Sequence, residues 1–254
     1  MGSGEHLAQN PNRVLALLES LRKILIQSGI VILLFSIGGY FFSLRILVFL
    51  QARTGVQLAA FGVPETFIAV LTLSLATGLI AGVPFIFYRI LSEVALLFSS
   101  FSRRMMLAFW VSSMVLFIGG AVFCLGVTLP YGVRFLLNFQ TPYLEAVISV
   151  KKFVSFCFLF VFGFGCIFEL PLAMILLARL GLVEAKVLAR HRRYAILGIS
   201  VVSAILTPTP DIFNLSLMGV PLYLLYEIGL IGMRICGNRK SRHRFNDRLH
   251  GLVG

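Results

Sequence analysis

Acidic residues are scarce in this chain: 10 Asp and Glu stand against 22 Lys and Arg among 254 residues, and charges of both signs make up only 13%. With 59% hydrophobic residues and a mean hydropathy of +0.97, too little polar surface remains to cover a water-soluble globule of this length. Cysteine is scarce too. Cys124, Cys157, Cys166 and Cys236 lie in or beside apolar runs, with no C-x-x-C and no histidine at ligand spacing, so they read as small packing residues. His6, His191, His243 and His250 fall in polar segments and form no cluster. A nucleophile elbow, a phosphate-binding loop and an H-E-x-x-H helix are all missing, and no enzyme activity, cofactor or metal is expected. The net charge of +12 does not argue for nucleic acid, because the cations sit between apolar runs, where anionic lipid and membrane topology account for them.

What is abundant is apolar length. A spanning helix needs roughly 20 apolar residues to cross about 30 Å of hydrocarbon. Candidates run over Ile24–Leu44, Phe67–Tyr88, Met105–Leu129, Phe153–Ala178, Tyr194–Leu206 and Ile212–Ile235. Backbone polarity requires helices there, since open strands leave unpaired groups in lipid. The expected fold is therefore an all-α polytopic bundle of six transmembrane helices, bent and concave. Its domains are a cytoplasmic N-terminal segment (1–23), the membrane domain (24–235) and a basic tail (236–254). Residues 1–12 are polar and lack the charged-then-apolar order of a cleaved signal peptide. His6 at the sixth position argues against myristoylation at Gly2.

Orientation follows from the flanks. One set of connections holds Arg13, Arg22, Lys23; Arg89, Arg103, Arg104; Arg179, Lys186, Arg190, Arg192, Arg193; and Arg234, Arg239, Lys240, Arg242, Arg244, Arg248. The other holds only Arg45, Arg53, Arg134, Lys151 and Lys152. The positive-inside rule puts the first set, and both termini, in the cytoplasm.

The fifth candidate spans only about 20 Å before Thr207-Pro208-Thr209-Pro210-Asp211, whose two prolines forbid a continuous helix and force a reversal. The fifth and sixth helices should form a hairpin with at least one short member. Ile46–Leu50 and Val133–Leu137 read as short interfacial helices capping the bundle on the outer side. No internal repeat is visible, which counts against carriers built from inverted halves.

Glu169 is the sharpest single feature, an acid in the middle of the fourth apolar run, followed two residues later by Pro171. Insertion of an acid at mid-membrane costs about 2.5–3.5 kcal/mol, so Glu169 must face the bundle interior. It serves either function or helix-to-helix glue. Pro171, with Gly163 and Gly165, bends that span. Glu227, toward the cytoplasmic end of the last span, snorkels or pairs with a loop arginine. Gly78 and Gly82 fit a small-x-x-x-small pattern, read as internal packing before a dimer face. The tail Arg239–Arg248 reads as a lipid anchor.

The order of several weak motifs resembles the TatC family, the polytopic core component of the twin-arginine protein translocase, from about Leu17 to Ile235. The motifs are Leu21-Arg22-Lys23 before the first span, Pro64-Glu65-Thr66-Phe67 entering the second, and Pro84 with Tyr88 near its end. Arg103-Arg104, Pro130, Phe168-Glu169-Leu170-Pro171, Arg192 to Tyr194, Thr207 to Asp211 and Pro221 with Tyr226-Glu227 continue the series. The resemblance implies a receptor for twin-arginine signal peptides of folded cargo. It implies single-span TatA- and TatB-type partners, the proton-motive force as energy source and the cytoplasmic (inner) membrane as location, with no nucleotide or metal. Membrane lipid is the further partner, a homo-oligomer is left open, and nucleic acid is not expected. The implied signal-binding face comprises Glu19, Ser20, Arg22, Ser102, Arg103 and Arg104. Glu169 is the implied intramembrane polar site, and Pro64, Pro84, Pro171, Pro208, Asp211, Pro221 and Glu227 serve fold or partner contacts.

The chain departs from the pattern at that face. The family's two signal-contacting glutamates align with Ser20, next to Glu19, and with Ser102; Leu96 replaces a usual proline. Glu93 is an alternative acid in the same loop. Two readings stand beside the translocase receptor: a relative with altered signal specificity, and a proton-coupled small-solute carrier using Glu169.

Overall fold

No proline stands between Pro11 and Pro64, and a single helix of 44 residues, α1 (Pro11–Thr54), fills most of that interval. It stops where Gly55 turns left-handed at φ 69, its N–H donating 2.9 Å to the Gln51 carbonyl. These elements belong to a computed structural model, which describes residues 11–97, 102–137, 148–206 and 212–250. A two-residue strand β1 (Leu58–Ala59) leads into α2 (Val63–Leu97). The third pass is α3 (Arg103–Phe123), a π-helical turn over Cys124–Thr128, and α4 (Leu129–Leu137). Strand β2 (Ile148–Ser149) precedes α5 (Val150–Phe168) and α6 (Leu170–Leu180), and then come α7 (Ala185–Arg190), α8 (Arg192–Leu206) and α9 (Ile212–His250).

Close approaches at small residues set the packing. A methyl group on Gly78 of α2 would collide with Ser36 Oγ and lie 2.7 Å from the Ile32 carbonyl of α1. Gly82 likewise abuts Ile32, and Gly39 of α1 abuts Thr77 of α2. The sequence numbers rise on one helix as they fall on the other, so α1 and α2 are antiparallel, and the Gly78/Gly82 pattern is internal packing. The same logic seats Gly120 of α3 on Phe164 and Phe168, and Gly165 of α5 on Phe117, an antiparallel contact. Gly229 and Gly232 of α9 lie against Met174 and Ile175 of α6, which runs parallel. With these alternations the starts of α1 and α3, the end of α2 and the far part of α9 share one end of the bundle, here the proximal end. The opposite end is distal.

At the distal end β1 pairs in parallel with β2, Leu58 opposite Ile148 and Ala59 opposite Ser149. Glu65, in the first turn of α2, accepts from the Phe61 N–H at 2.7 Å and from Ser149 Oγ, whose oxygen also caps α5 by accepting from the Lys152 N–H. The larger apolar core lies in this half, with Phe164, Leu129, Cys124, Cys157, Val154 and Met218 almost wholly enclosed. A smaller core of Met174, Tyr226, Leu230 and Met233 joins α6 to α9 in the proximal half.

Five helical stretches are long and apolar enough to cross a membrane: Leu21–Thr54, Pro64–Glu93, Arg103–Phe135, Val150–Leu180 and Leu215–Ile235. The remaining pass, fifth in chain order, is α8, and at 15 residues it is the short member of the terminal pair. Large side chains exposed along these helices, such as Phe41, Leu33, Val115 and Leu197, meet lipid at no cost. Ile46–Leu50 is not a separate interfacial helix. It continues α1, because nothing breaks the helix there and Leu50 is drawn into the distal core. Val133–Leu137 closes α4, with Val133 in the same core. The Thr207–Asp211 turn, including Pro208 and Asp211, lies outside the described residues.

Candidate functional site

Pro171 has no N–H to give to the Ile167 carbonyl, and the fourth pass breaks there into α5 and α6. Glu169 sits in the break, and its carbonyl accepts from the Ala173 N–H at 2.9 Å. Its side chain turns inward at 6% exposure, and Oε1 accepts a 2.8 Å hydrogen bond from Ser113 Oγ of α3. Ser113 lies about ten residues above the proximal end of α3, or roughly 15 Å at the rise of a helix, so the pair is near mid-bilayer. Gly120 and Gly165 bring α3 and α5 together one to two turns away, and Phe123 packs its ring on Phe164 and Phe168. Among the described residues Glu169 is the one buried charged residue, and it forms no ion pair.

The proximal end gathers the expected signal-face residues. Glu19 and Arg22 near the start of α1 are exposed, and the Ser20 side chain lies outside the described residues. Ser102 occupies the N-cap of α3 without a side-chain cap bond, followed by exposed Arg103 and Arg104. The end of α2 lies between these two helix starts. Its height relative to α3 is set by Trp110 Nε1, which donates 2.9 Å to the Pro84 carbonyl, and by the edge-on contact of Trp110 with Tyr88. Here Arg89 and Glu93 form a loose pair, 4.0 Å apart, each side chain about a quarter exposed. Arg179 of α6 closes one side, over the Phe109 ring and with its Nη1 2.8 Å from the Met105 sulfur.

A second proximal cluster holds α8 to α9. Arg192 donates to Glu227 at 2.9 Å, Tyr223 Oη donates to the same carboxylate at 3.0 Å, and Tyr226 Oη donates to the Leu188 carbonyl of α7 at 2.9 Å. Glu227 therefore pairs with an arginine, which stands at the first position of α8 rather than in a loop. Of the prolines, Pro64 opens α2, Pro84 and Pro221 stand inside α2 and α9, and Pro171 packs against Gly229.

Sequence reasoning missed three residues. Ser113 was hidden because its partner is 56 positions away, although a serine deep in an apolar run is a signal. Glu65 and Ser149 were unread as a distal brace; an acid just after a proline at a helix start is the available sign.

Residues 16–221 match the family model of the Sec-independent protein translocase protein (TatC). The TatC protein of Carboxydothermus hydrogenoformans is 33% identical over 216 residues, 84% of this chain and 89% of that protein. The TatC of Desulforapulum autotrophicum is 36% identical over 180 residues, 71% of this chain and 66% of the relative. That of Escherichia coli K12 is 31% identical over 184 residues, 72% and 71% of the two chains. A crystal structure of the twin-arginine translocase receptor TatC superposes with a TM-score of 0.76 at 30% identity, covering 86% of this chain and 98% of that one.

Proposed function

Because this chain belongs to the TatC family of Sec-independent protein translocases, a multi-pass membrane component of that system, we propose that its proximal rim is the signal-receiving face. The observation that carries this reading is the convergence of three helix ends on one rim: the start of α1 with Glu19 and Arg22, the end of α2, and the start of α3 with Ser102 to Arg104. A peptide bearing paired arginines needs carboxylates within reach, since charge-assisted, two-pronged bonds distinguish a guanidinium from other cations. In this reading the rim faces the cytoplasm across the inner membrane, as its excess of arginine requires. Single-span TatA- and TatB-type partners pack on the lipid-facing helices, and the proton-motive force drives export.

The test is complementation of a strain lacking its own TatC, scored by export of a folded reporter with a twin-arginine signal. The native chain is expected to restore export of the paired-arginine reporter and not of one with paired lysines. Export of neither, with the chain correctly inserted, refutes the receptor reading. Ser102→Glu beside it measures what the serine at that position costs.

A further inference from the structure

Few carboxylates are available to a cationic peptide at the proximal end. Among the described side chains they are Glu19, Glu93, Glu184 and Glu227. Glu227 already holds Arg192 and the Tyr223 hydroxyl, and Glu184 stands at the N-cap of α7 in the exposed connection after α6 rather than on α1, α2 or α3. Glu93 differs from both. It stands three turns beyond Gly82 on α2, close to the face that packs on α1, and Arg89 lies one turn before it. Extending the register set by Gly78 and Gly82 brings it level with Leu21 and Arg22 of α1, within about a turn of Glu19. Extending the register set by Trp110 and Pro84 brings it level with Ser102 and Arg103 of α3.

Among the described residues its ion-pair partner is a guanidinium of the same helix. The Arg89–Glu93 contact, at 4.0 Å and partly solvated, is long for a charge-assisted bond, and the Arg89 Nε is buried with no hydrogen-bond partner among the described residues. Such an i,i+4 pair is weak and costs little to open. The surroundings make the carboxylate count for more: Arg22, Lys23, Arg89, Arg103 and Arg104 all lie near this rim, and they repel a cationic peptide unless an acid receives it.

Resting on the receptor reading above, we infer that Glu93 is the carboxylate that selects arginine in the incoming signal, and that Arg89 occupies it as an internal stand-in until the signal's guanidinium displaces it. Arg89 is thus an autoinhibitory positioning residue, and Glu93 the specificity-determining one.

Binding of a paired-arginine and a paired-lysine signal peptide to the full-length chain in lipid nanodiscs tests this. The native chain should prefer the arginine peptide. Arg89→Gln should tighten arginine-peptide binding about twofold, the size of one i,i+4 ion pair. Glu93→Gln should weaken it about tenfold or more and bring the ratio between the two peptides close to one, as loss of a charge-assisted contact requires. Glu93→Asp should keep the preference, and Glu184→Gln should change neither peptide. A Glu93→Gln chain that folds and keeps the native ratio overturns the inference while leaving the receptor reading intact, as does weaker arginine-peptide binding in Arg89→Gln. A native chain with no preference removes both.

Discussion

At the residue scale, Ser113 and Glu169 form a pair whose members are unequal in cost. Removing the hydroxyl leaves a buried carboxyl oxygen without its donor, a loss of about 1–3 kcal/mol, whereas a glutamine at 169 still accepts from Ser113. Ser113→Ala is therefore expected to lower the thermal midpoint of the detergent-solubilised protein more than Glu169→Gln does. A Glu169→Gln chain that is as stable as the native one yet exports less reporter would assign the carboxyl a role in transport beyond helix-to-helix glue. Full export by that variant would leave it as glue. The acid itself was legible in the sequence, because lipid makes an isolated charge conspicuous. Its donor was not, since hydrogen bonds between helices carry no sequence periodicity.

At the element scale, α1 is held mainly along one narrow face, and the seam with α2 is built from Ser36, Gly39, Ser74, Thr77 and Gly78. Gly78→Ala places a methyl group 2.7 Å from backbone atoms of α1, which cannot retreat as a flexible side chain would, and overpacking of this kind costs about 1–3 kcal/mol. Gly38→Ala adds a methyl where nothing lies within 4 Å and should be neutral or slightly stabilising. Comparing the two thermal midpoints checks the seam, and equal midpoints would argue against it. The short helix α8 is the other feature of this scale. Its 15 residues rise about 22 Å, less than the hydrocarbon thickness. Arg192, Tyr223 and Tyr226 tie α7 and α8 to α9 at the proximal end, and Arg192→Gln should loosen that tie, seen as faster proteolysis within residues 181–192.

At the scale of the whole molecule, antiparallel packing brings the start of α1 and the far part of α9 to one side of the bundle, and the proposed reading, following the positive-inside rule, turns that side to the cytoplasm. Gln57→Cys, on the exposed distal connection, should react with a membrane-impermeant thiol reagent added to intact cells, and Ser102→Cys only after permeabilisation. The reverse pattern would invert the orientation. The distal end is also the better packed one: the β1–β2 ladder, the Glu65–Ser149 brace and the larger core all lie there. The proximal rim, by contrast, offers exposed charges on separate helix ends.

The sequence alone determined the solvent of this protein, its number of passes and the expected side of its termini, because apolar run length and flanking charge are local quantities that the bilayer reads directly. It also marked Pro171 as a bend in the fourth pass, since a proline removes a backbone donor, although α2 and α9 run on through Pro84 and Pro221. Tertiary structure decided what those local signals cannot contain. It extended α1 through Ile46–Leu50, because Leu50 finds a core to enter. It wound Cys124–Thr128 into a π-helical turn within the third pass, where both end residues of the turn are buried. It gave Glu169 a serine 56 residues away and tied α2 to α3 through Trp110 on the Pro84 carbonyl. Each of these depends on which surfaces meet, and helix-to-helix register is fixed by close contacts at glycine and serine rather than by composition.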